Sequence, residues 1–441
     1  MKKTLIALLI TLLVITGCGK KTENDDPTAN EDNKDKETLV IYGLKSGYGT
    51  KGWEKVIEGF EKSHDVEVEL VMEQNIEEIL RPKIQADEIP DLIYLAVGST
   101  GGLTDTMISE KNIEEITDVL EMEVPGESVK VKDKVLPGFF ESLRTSPYAD
   151  GKVYLSPLFY SPLGLFYNAG LFEEKGWDVP QTWDEMWALG DKAKEEGIAL
   201  FTYPTTGYFD GFFSSLLNAT VGPEAYEKLM TYDLDTWKDP KTKEAFEIVG
   251  KLASYTHEDT VSQANAESFT KNQQLILNNK ALFIPNGSWL PEEMEEAPRE
   301  DNFAWGMTAV PKVDASSDAY ASTFSEEIYI PKGAKNVDTA KKFLAYLYTD
   351  EAAKAFFDNA GAVQPIEGSE KLIPSGDEKE LFYNIYKDGA HANSVGFASH
   401  EPVEGYDVVD ILYSTVDAVV TGQKSVDAWY EEVIEAIEKY N

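Results

Sequence analysis

The chain has 441 residues and a formal net charge of −39, from 79 acidic against 40 basic side chains. That excess argues against nucleic acid or another polyanion as ligand, because holding phosphates needs clustered Lys and Arg. The length is enough for two lobes with separate cores, and a single cysteine leaves burial alone to stabilise them.

Lys2 and Lys3 precede an apolar run from Leu5 to Ile15, followed by the small residues Thr16 and Gly17. A basic start, a short apolar segment and a small-residue cut site make residues 1–17 an export signal. The run is too short to span a bilayer comfortably. Ile15-Thr16-Gly17-Cys18 resembles a bacterial lipobox, which implies cleavage before Cys18 and lipidation of its sulfur. An incidental cysteine in a secreted chain is the plainer alternative. Residues 19–37 contain no large apolar side chain. They cannot bury enough surface to offset the entropy of ordering, so 18–37 reads as a flexible tether. No later run is long and apolar enough for a transmembrane helix.

Strands and helices then alternate. Thr38 to Tyr42 reads as a short buried strand. Trp53, Val56, Ile57 and Phe60 recur at i, i+3, i+4 and i+7, the stripe of an amphipathic helix. Val66, Val68 and Leu70 alternate with Glu67 and Glu69, as in a half-buried strand. Ile76, Ile79, Leu80 and Ile84 suggest a helix that Pro82 should kink or divide. Asp91 to Val97 is another apolar strand, ending at Gly98-Ser99-Thr100-Gly101-Gly102. This alternation implies parallel strands with right-handed crossovers, an α/β lobe. Residues 151–170 break the pattern, with Pro157, Pro162 and Gly164 inside an aromatic stretch, and read as a crossover between lobes. Helical patterns follow at Trp183–Glu196, Pro223–Thr231 and Lys241–Tyr255. Strands return at Ala281–Pro285 and Ile328–Pro331. Val337–Phe357 reads as one long helix and Ser425–Tyr440 as a terminal one.

Several segments carry a resemblance. Tyr167-Asn168, Leu171-Phe172, Gly176-Trp177 and Pro180-Gln181-Thr182-Trp183-Asp184-Glu185 are similar to a segment of the sugar-binding lipoproteins of bacterial ABC importers. So are Pro90-Asp91, Asn279-Lys280-Ala281-Leu282-Phe283 leading to Asn286-Gly287-Ser288-Trp289, Ile330-Pro331-Lys332-Gly333-Ala334-Lys335-Asn336, and Gly422 to Ala428. These segments span nearly all of the mature chain in the family's order. The stretches Ala193–Tyr203 and Asn286–Met294 resemble more narrowly the binding proteins for N-acetylglucosamine and chitobiose. The chain departs from those at Tyr208-Phe209-Asp210-Gly211 and around His400.

The resemblance implies an α/β, two-lobed periplasmic-binding-protein fold of type II, with a hinge of crossing segments near Ser161, near Ser322 and between Ala392 and Pro402. Lobe 1 would comprise 38–160 and 322–392, and lobe 2 would comprise 161–321 and 393–441. It implies a lipid-anchored monomer on the outer face of the cell membrane. Such a protein would hold a carbohydrate between its lobes and pass it to ABC permease subunits, without a cofactor.

A sugar ring has weakly polar C–H faces and a belt of hydroxyls, so aromatic faces with carboxylates and amides are its partners. Trp289, after Asn286-Gly287-Ser288 at a strand end, is the first candidate, with a core Trp as the competing reading. Tyr203, Tyr208 and Phe209 lie in a stretch that reads as a turn-rich aromatic loop. Tyr160, in the first crossover, could line the cleft floor or pack the hinge. Tyr48 and Ser99, the latter beside Thr100, follow strand ends, where α/β lobes place ligand loops. Glu326 and Glu327 enter a buried strand, where one could hold hydroxyls bidentately or both could lie on an exposed edge. His400, Glu401, Tyr406 and Asp407 fall in the last crossover and complete the candidates.

His64, His257, His391 and His400 show no metal-site spacing, and no nucleophile elbow or phosphate loop is present. A surface glycosidase would need only two carboxylates across the scissile bond, and an adhesin for glycans would share the anchor. Both stay open at this level.

Overall fold

Residues 36–99, 101–265 and 269–441 are described by the computed structural model of the chain. The export signal, Cys18, most of the tether and Thr100 lie outside the described residues. Contacts separate Met1–Lys36 from Glu37–Asn441, and the second unit is the one described below.

Fully buried Leu39 and Ile41 anchor β1 (Glu37–Leu44). The stripe Trp53, Val56, Ile57 and Phe60 is the buried face of α1 (Lys51–Ser63). β2 (Val66–Glu73) runs parallel to β1. α2 (Ile76–Gln85) continues through Pro82, so of the kink or division expected there the division does not occur; Ile76 and Leu80 are fully buried. β3 (Leu92–Tyr94) also lies parallel to β1 and leads to α3 (Leu103–Ser109) and α4 (Val131–Lys134).

There follow β4 (Leu155–Asn168), α5 (Ala169–Lys175), α6 (Trp183–Glu195), β5 (Ala199–Phe201) and α7 (Thr206–Val221). The later strands are β6 (Ala281–Gly287), β7 (Trp305–Thr308), β8 (Ala319–Tyr329) and β9 (Ala390–Ser394). Further helices lie between and after them. Val337–Phe357 is two helices, Val337–Leu347 and Asp350–Ala360. Thr349 caps the second: its Oγ1 accepts from Ala352 N at 3.1 Å and so satisfies a first-turn donor that a continuous helix would not expose. No helix among the described residues is long and apolar enough to cross a membrane.

The sheet order is β2-β1-β3-β8-β4-β6-β5, with β7 also on β4 and β9 also on β8. β4 changes partners along its length. Its first half is antiparallel to β8, and from Leu163 onward it pairs with β6 and β7. β8 pairs with β9 up to Thr323 and with β3 at its far end. Thr323 pairs with both Pro162 and Ser394, so three chain segments meet at one level of the sheet. One core gathers Leu39, Trp53, Phe60, Phe343 and Phe356 and also takes in Phe166 of β4, Ile284 of β6 and Met307 of β7, with a smaller cluster around Ile76, Ile93 and Met107. Phe201, Phe213, Trp237, Phe246 and Trp429 make a further, second core.

Two of the sequence motifs act as stitches. Asp91 is buried; its Oδ1 accepts from Lys335 N (3.1 Å) and Asn336 N (2.9 Å), and its Oδ2 from Val40 N (2.9 Å). Asn168 Oδ1 accepts from Gly170 N (3.0 Å) and Ala304 N (3.1 Å), capping α5 and tying it to β7's approach. Each replaces water around backbone donors that burial would otherwise leave unpaired.

Candidate functional site

A cleft of about 630 Å³ opens at the level where β4, β8 and β9 meet, with Thr323 in its wall. Phe324 (39% exposed) and Val409 (50%) are the exposed large apolar side chains among the described residues, and both line this cleft. Open apolar groups gathered in one concavity mark a ligand surface.

Trp289 forms its aromatic wall with Tyr208 and Phe324. The indole lies over Gly287 so closely that a Cβ there would come within 2.2 Å of it, which is why that position holds glycine. Trp289 Nε1 donates to Tyr208 Oη at 3.2 Å, with the ring centroids 5.7 Å apart. Phe324 meets the indole edge-on at 5.8 Å. Tyr208 is not on a loop, as its Gly- and Pro-containing surroundings suggested, but in the first turns of α7. Thr205 caps that helix by accepting from Tyr208 N at 3.3 Å. Phe209, Phe212, Phe213, Leu216 and Leu217 then recur at helical spacing as its buried face. Ser322 Oγ donates to Gly211 O at 2.7 Å and is also bonded to Ser215 Oγ at 2.9 Å, fixing α7 against β8.

The polar part of the cleft holds Arg144, Asp210 and Asp105, whose Oδ2 accepts from Gly98 N at 3.0 Å. Arg144 Nε donates to Glu327 Oε1 at 2.9 Å, and Glu327 is fully buried. Asp210 Oδ1 accepts from Gly211 N. Burial pushes the Asp210 carboxyl up to about 7, against the lowering effects of that N–H and of Arg144.

The other sequence candidates are placed apart from this wall. Tyr203 and Phe209 are buried in the second core, and Tyr203 Oη donates to Asp417 Oδ1. Tyr160 is buried in the first core, edge-on to Phe139 (5.2 Å) and Tyr383 (5.1 Å), the hinge-packing alternative. Tyr48 packs edge-on to Phe159 at 5.1 Å. Asn286 is buried in β6 and accepts from Gly287 N at 2.8 Å. Ser99 sits in the turn beside the cleft residues Val97 and Gly98. Glu326 and Glu327 are inside β8 rather than on an exposed edge. Glu326 accepts from Tyr94 Oη, and burial, then the Glu327 charge, push its carboxyl up to about 8. His400 lines the cleft, whereas Tyr406 donates to Glu435 (2.7 Å) and Asp407 caps the next helix through Asp410 N (3.0 Å).

Sequence reasoning missed Arg144, Asp210 and Val409. A signal for the first existed: arginine is scarce, at Arg81, Arg144 and Arg299 alone, and a fixed guanidinium fork suits a buried carboxylate better than the abundant lysines do.

A sequence model of the family described as bacterial extracellular solute-binding protein matches residues 55–379. The diacetylchitobiose binding protein NgcE of Streptomyces coelicolor is 26% identical over 363 residues, 80% of this chain and 73% of its own length. The multiple sugar-binding protein of Streptococcus mutans is 24% identical, over 81% of each chain. Among solved structures, apo RafE of Streptococcus pneumoniae superposes with a TM-score of 0.67 at 20% identity, covering 92% of this chain and 98% of that one. The maltose-bound MalE of Listeria monocytogenes gives 0.66 at 18%, over 92% and 98%. These likenesses establish the two-lobed α/β fold of type II binding proteins.

Proposed function

The chain belongs to the bacterial extracellular solute-binding proteins, and from that premise we propose that its cleft captures a sugar or oligosaccharide and presents it to an ABC importer. The observation that carries this reading is the wall of Trp289, Tyr208 and Phe324 at the junction of three crossing segments. Aromatic faces cover the C–H faces of a sugar ring, and the charged groups beside them suit its hydroxyls. The printed ligands of relatives, diacetylchitobiose among them, support the class. Lobe 1 is 38–160 with 322–392, and lobe 2 is 161–321 with 393–441. Ligand favours the closed arrangement because it touches both walls only there. The protein binds without turnover, as a monomer held to the outer face of the membrane through lipid on Cys18.

Calorimetric titration with N,N′-diacetylchitobiose, maltotriose and raffinose tests the reading. At least one should bind, raise the melting temperature and shrink the radius of gyration in solution scattering. At a free concentration one hundred times Kd, binding stabilises the folded state by about 2.7 kcal/mol. Binding of none would overturn the proposal, and recovery of shortened sugar would replace it with glycoside hydrolysis. The anchor is tested separately. Cys18→Ala should move the protein from the membrane to the soluble fraction, and retention after a high-salt wash would contradict lipidation.

A further inference from the structure

Arg144 is fixed from one side only. Besides the Nε bond to Glu327, its Nη2 donates to Val97 O (3.0 Å), Ser325 O (3.2 Å) and Glu327 Oε2 (3.4 Å). Glu327 is itself held, accepting from Val97 N at 3.1 Å and from Ser325 Oγ. Two guanidinium nitrogens are thereby used. The third, Nη1, has no acceptor among the described residues, and the side chain lines the cleft.

Asp210 offers the complement from α7. Its Oδ1 is taken by Gly211 N, its Oδ2 has no donor among the described residues, and it lines the same cleft. The two groups lie within electrostatic reach of each other yet form no ion pair. An open donor and an open acceptor thus share one space beside the aromatic wall.

The chemistry of that space is selective. A carboxylate would gain from Nη1 and be repelled by Asp210. A hydroxyl is acceptor and donor at once and satisfies both. We propose that Arg144 and Asp210 form a hydroxyl clamp: one sugar hydroxyl accepts from Arg144 Nη1 and donates to Asp210 Oδ2. The cleft therefore selects a ring with a free hydroxyl there over hexuronates, whose carboxylate would meet the acids Asp210 and Asp105 of the same cleft. Glu327 is a positioning residue that aims the guanidinium. The clamp rests on the sugar-binding reading. Both bonds are charge-assisted, and a ring lacking the hydroxyl would leave Arg144 Nη1 and Asp210 Oδ2 without partners in a closed cleft.

The test is a double-mutant cycle at pH 8 with whichever of diacetylchitobiose, maltotriose and raffinose binds the wild type. Asp210→Asn should weaken affinity tenfold or more while leaving the melting temperature unchanged or raised, since it removes a carboxylate that folding desolvates. Arg144→Lys keeps a cation for Glu327 but lacks the second amino group, and should weaken affinity similarly. The double variant should lose little more than the worse single one, because both act on the same hydroxyl. Unchanged affinity in both single variants would overturn the clamp while leaving sugar binding standing. Losses that simply multiply would overturn the shared hydroxyl. A wild type that binds none of the three sugars removes the sugar reading, and the clamp with it.

Discussion

Trp289→Ala should weaken sugar binding about thirtyfold or more, the equivalent of losing a central anchor worth about 2 kcal/mol. Two features place the indole as a platform instead of a core group. It belongs to none of the three hydrophobic clusters, and it is half-buried. Its ring is packed over Gly287 and bonded to Tyr208 Oη. The indole therefore has little side-chain freedom left to lose on binding, which is what makes a rigid aromatic effective. Trp289→Phe should lose less, because a smaller ring still covers part of a sugar face. A core Trp would behave oppositely. Its removal would cost ~3–5 kcal/mol of stability and leave the affinity of the folded protein intact. Measuring melting and affinity on the same alanine variant decides between these, and normal affinity with a lowered melting temperature would remove Trp289 from the site.

Glu326→Gln should flatten the pH dependence of stability between about pH 4.5 and 8. In the folded chain the Glu326 carboxyl is pushed from 4.5 up to about 8, by burial first and by Glu327 second. Between those values the native state keeps a proton that the unfolded chain has released. Stability from the protonated group is thus complete below about 4.5 and lost as pH rises toward 8. The loss accrues at about 1.4 kcal/mol per pH unit, as an upper slope for one group. Glutamine is neutral throughout and can still accept from Tyr94 Oη, so it escapes the loss. The variant's advantage in melting temperature should grow from pH 5 to 8 and level off above. Parallel profiles for the two proteins would show that Glu326 is ionised in the folded state.

The two lobes were legible because their elements repeat at periods that burial enforces. The α1 stripe and the alternation in β2 appear in the structure within a residue or two of where side-chain patterning puts them. The motifs that carry the family resemblance prove to be largely structural. Asp91 pairs backbone donors of residues 335 and 336, and Thr182 and Glu185 form the capping box of α6. These identify the fold and say little of the ligand, whereas the Asn286–Trp289 motif ends on the cleft wall. The aromatic candidates divided for a related reason. Tyr203, Phe209 and Trp289 look alike in a sequence; the packing of α7 against β6 and β8 goes with a buried Phe209, Tyr203 is buried ahead of that helix with its hydroxyl on Asp417, and Trp289 stays at the cleft. Gly207 and Pro204 hid the start of α7, since a capped helix opening with two aromatics resembles a loop until the spacing of Phe209, Phe212 and Phe213 is counted. Scarcity alone could single out Arg144; its role depends on Glu327, 183 positions away, and no local pattern reports such a pairing.

The most direct measurement is a crystal structure grown with the tightest-binding sugar of the three. Density for the sugar should fill the cleft, one ring face against the Trp289 indole and one hydroxyl within about 3 Å of both Arg144 Nη1 and Asp210 Oδ2. A sugar bound elsewhere on the molecule, with the space between Trp289 and Arg144 holding none, would contradict the account.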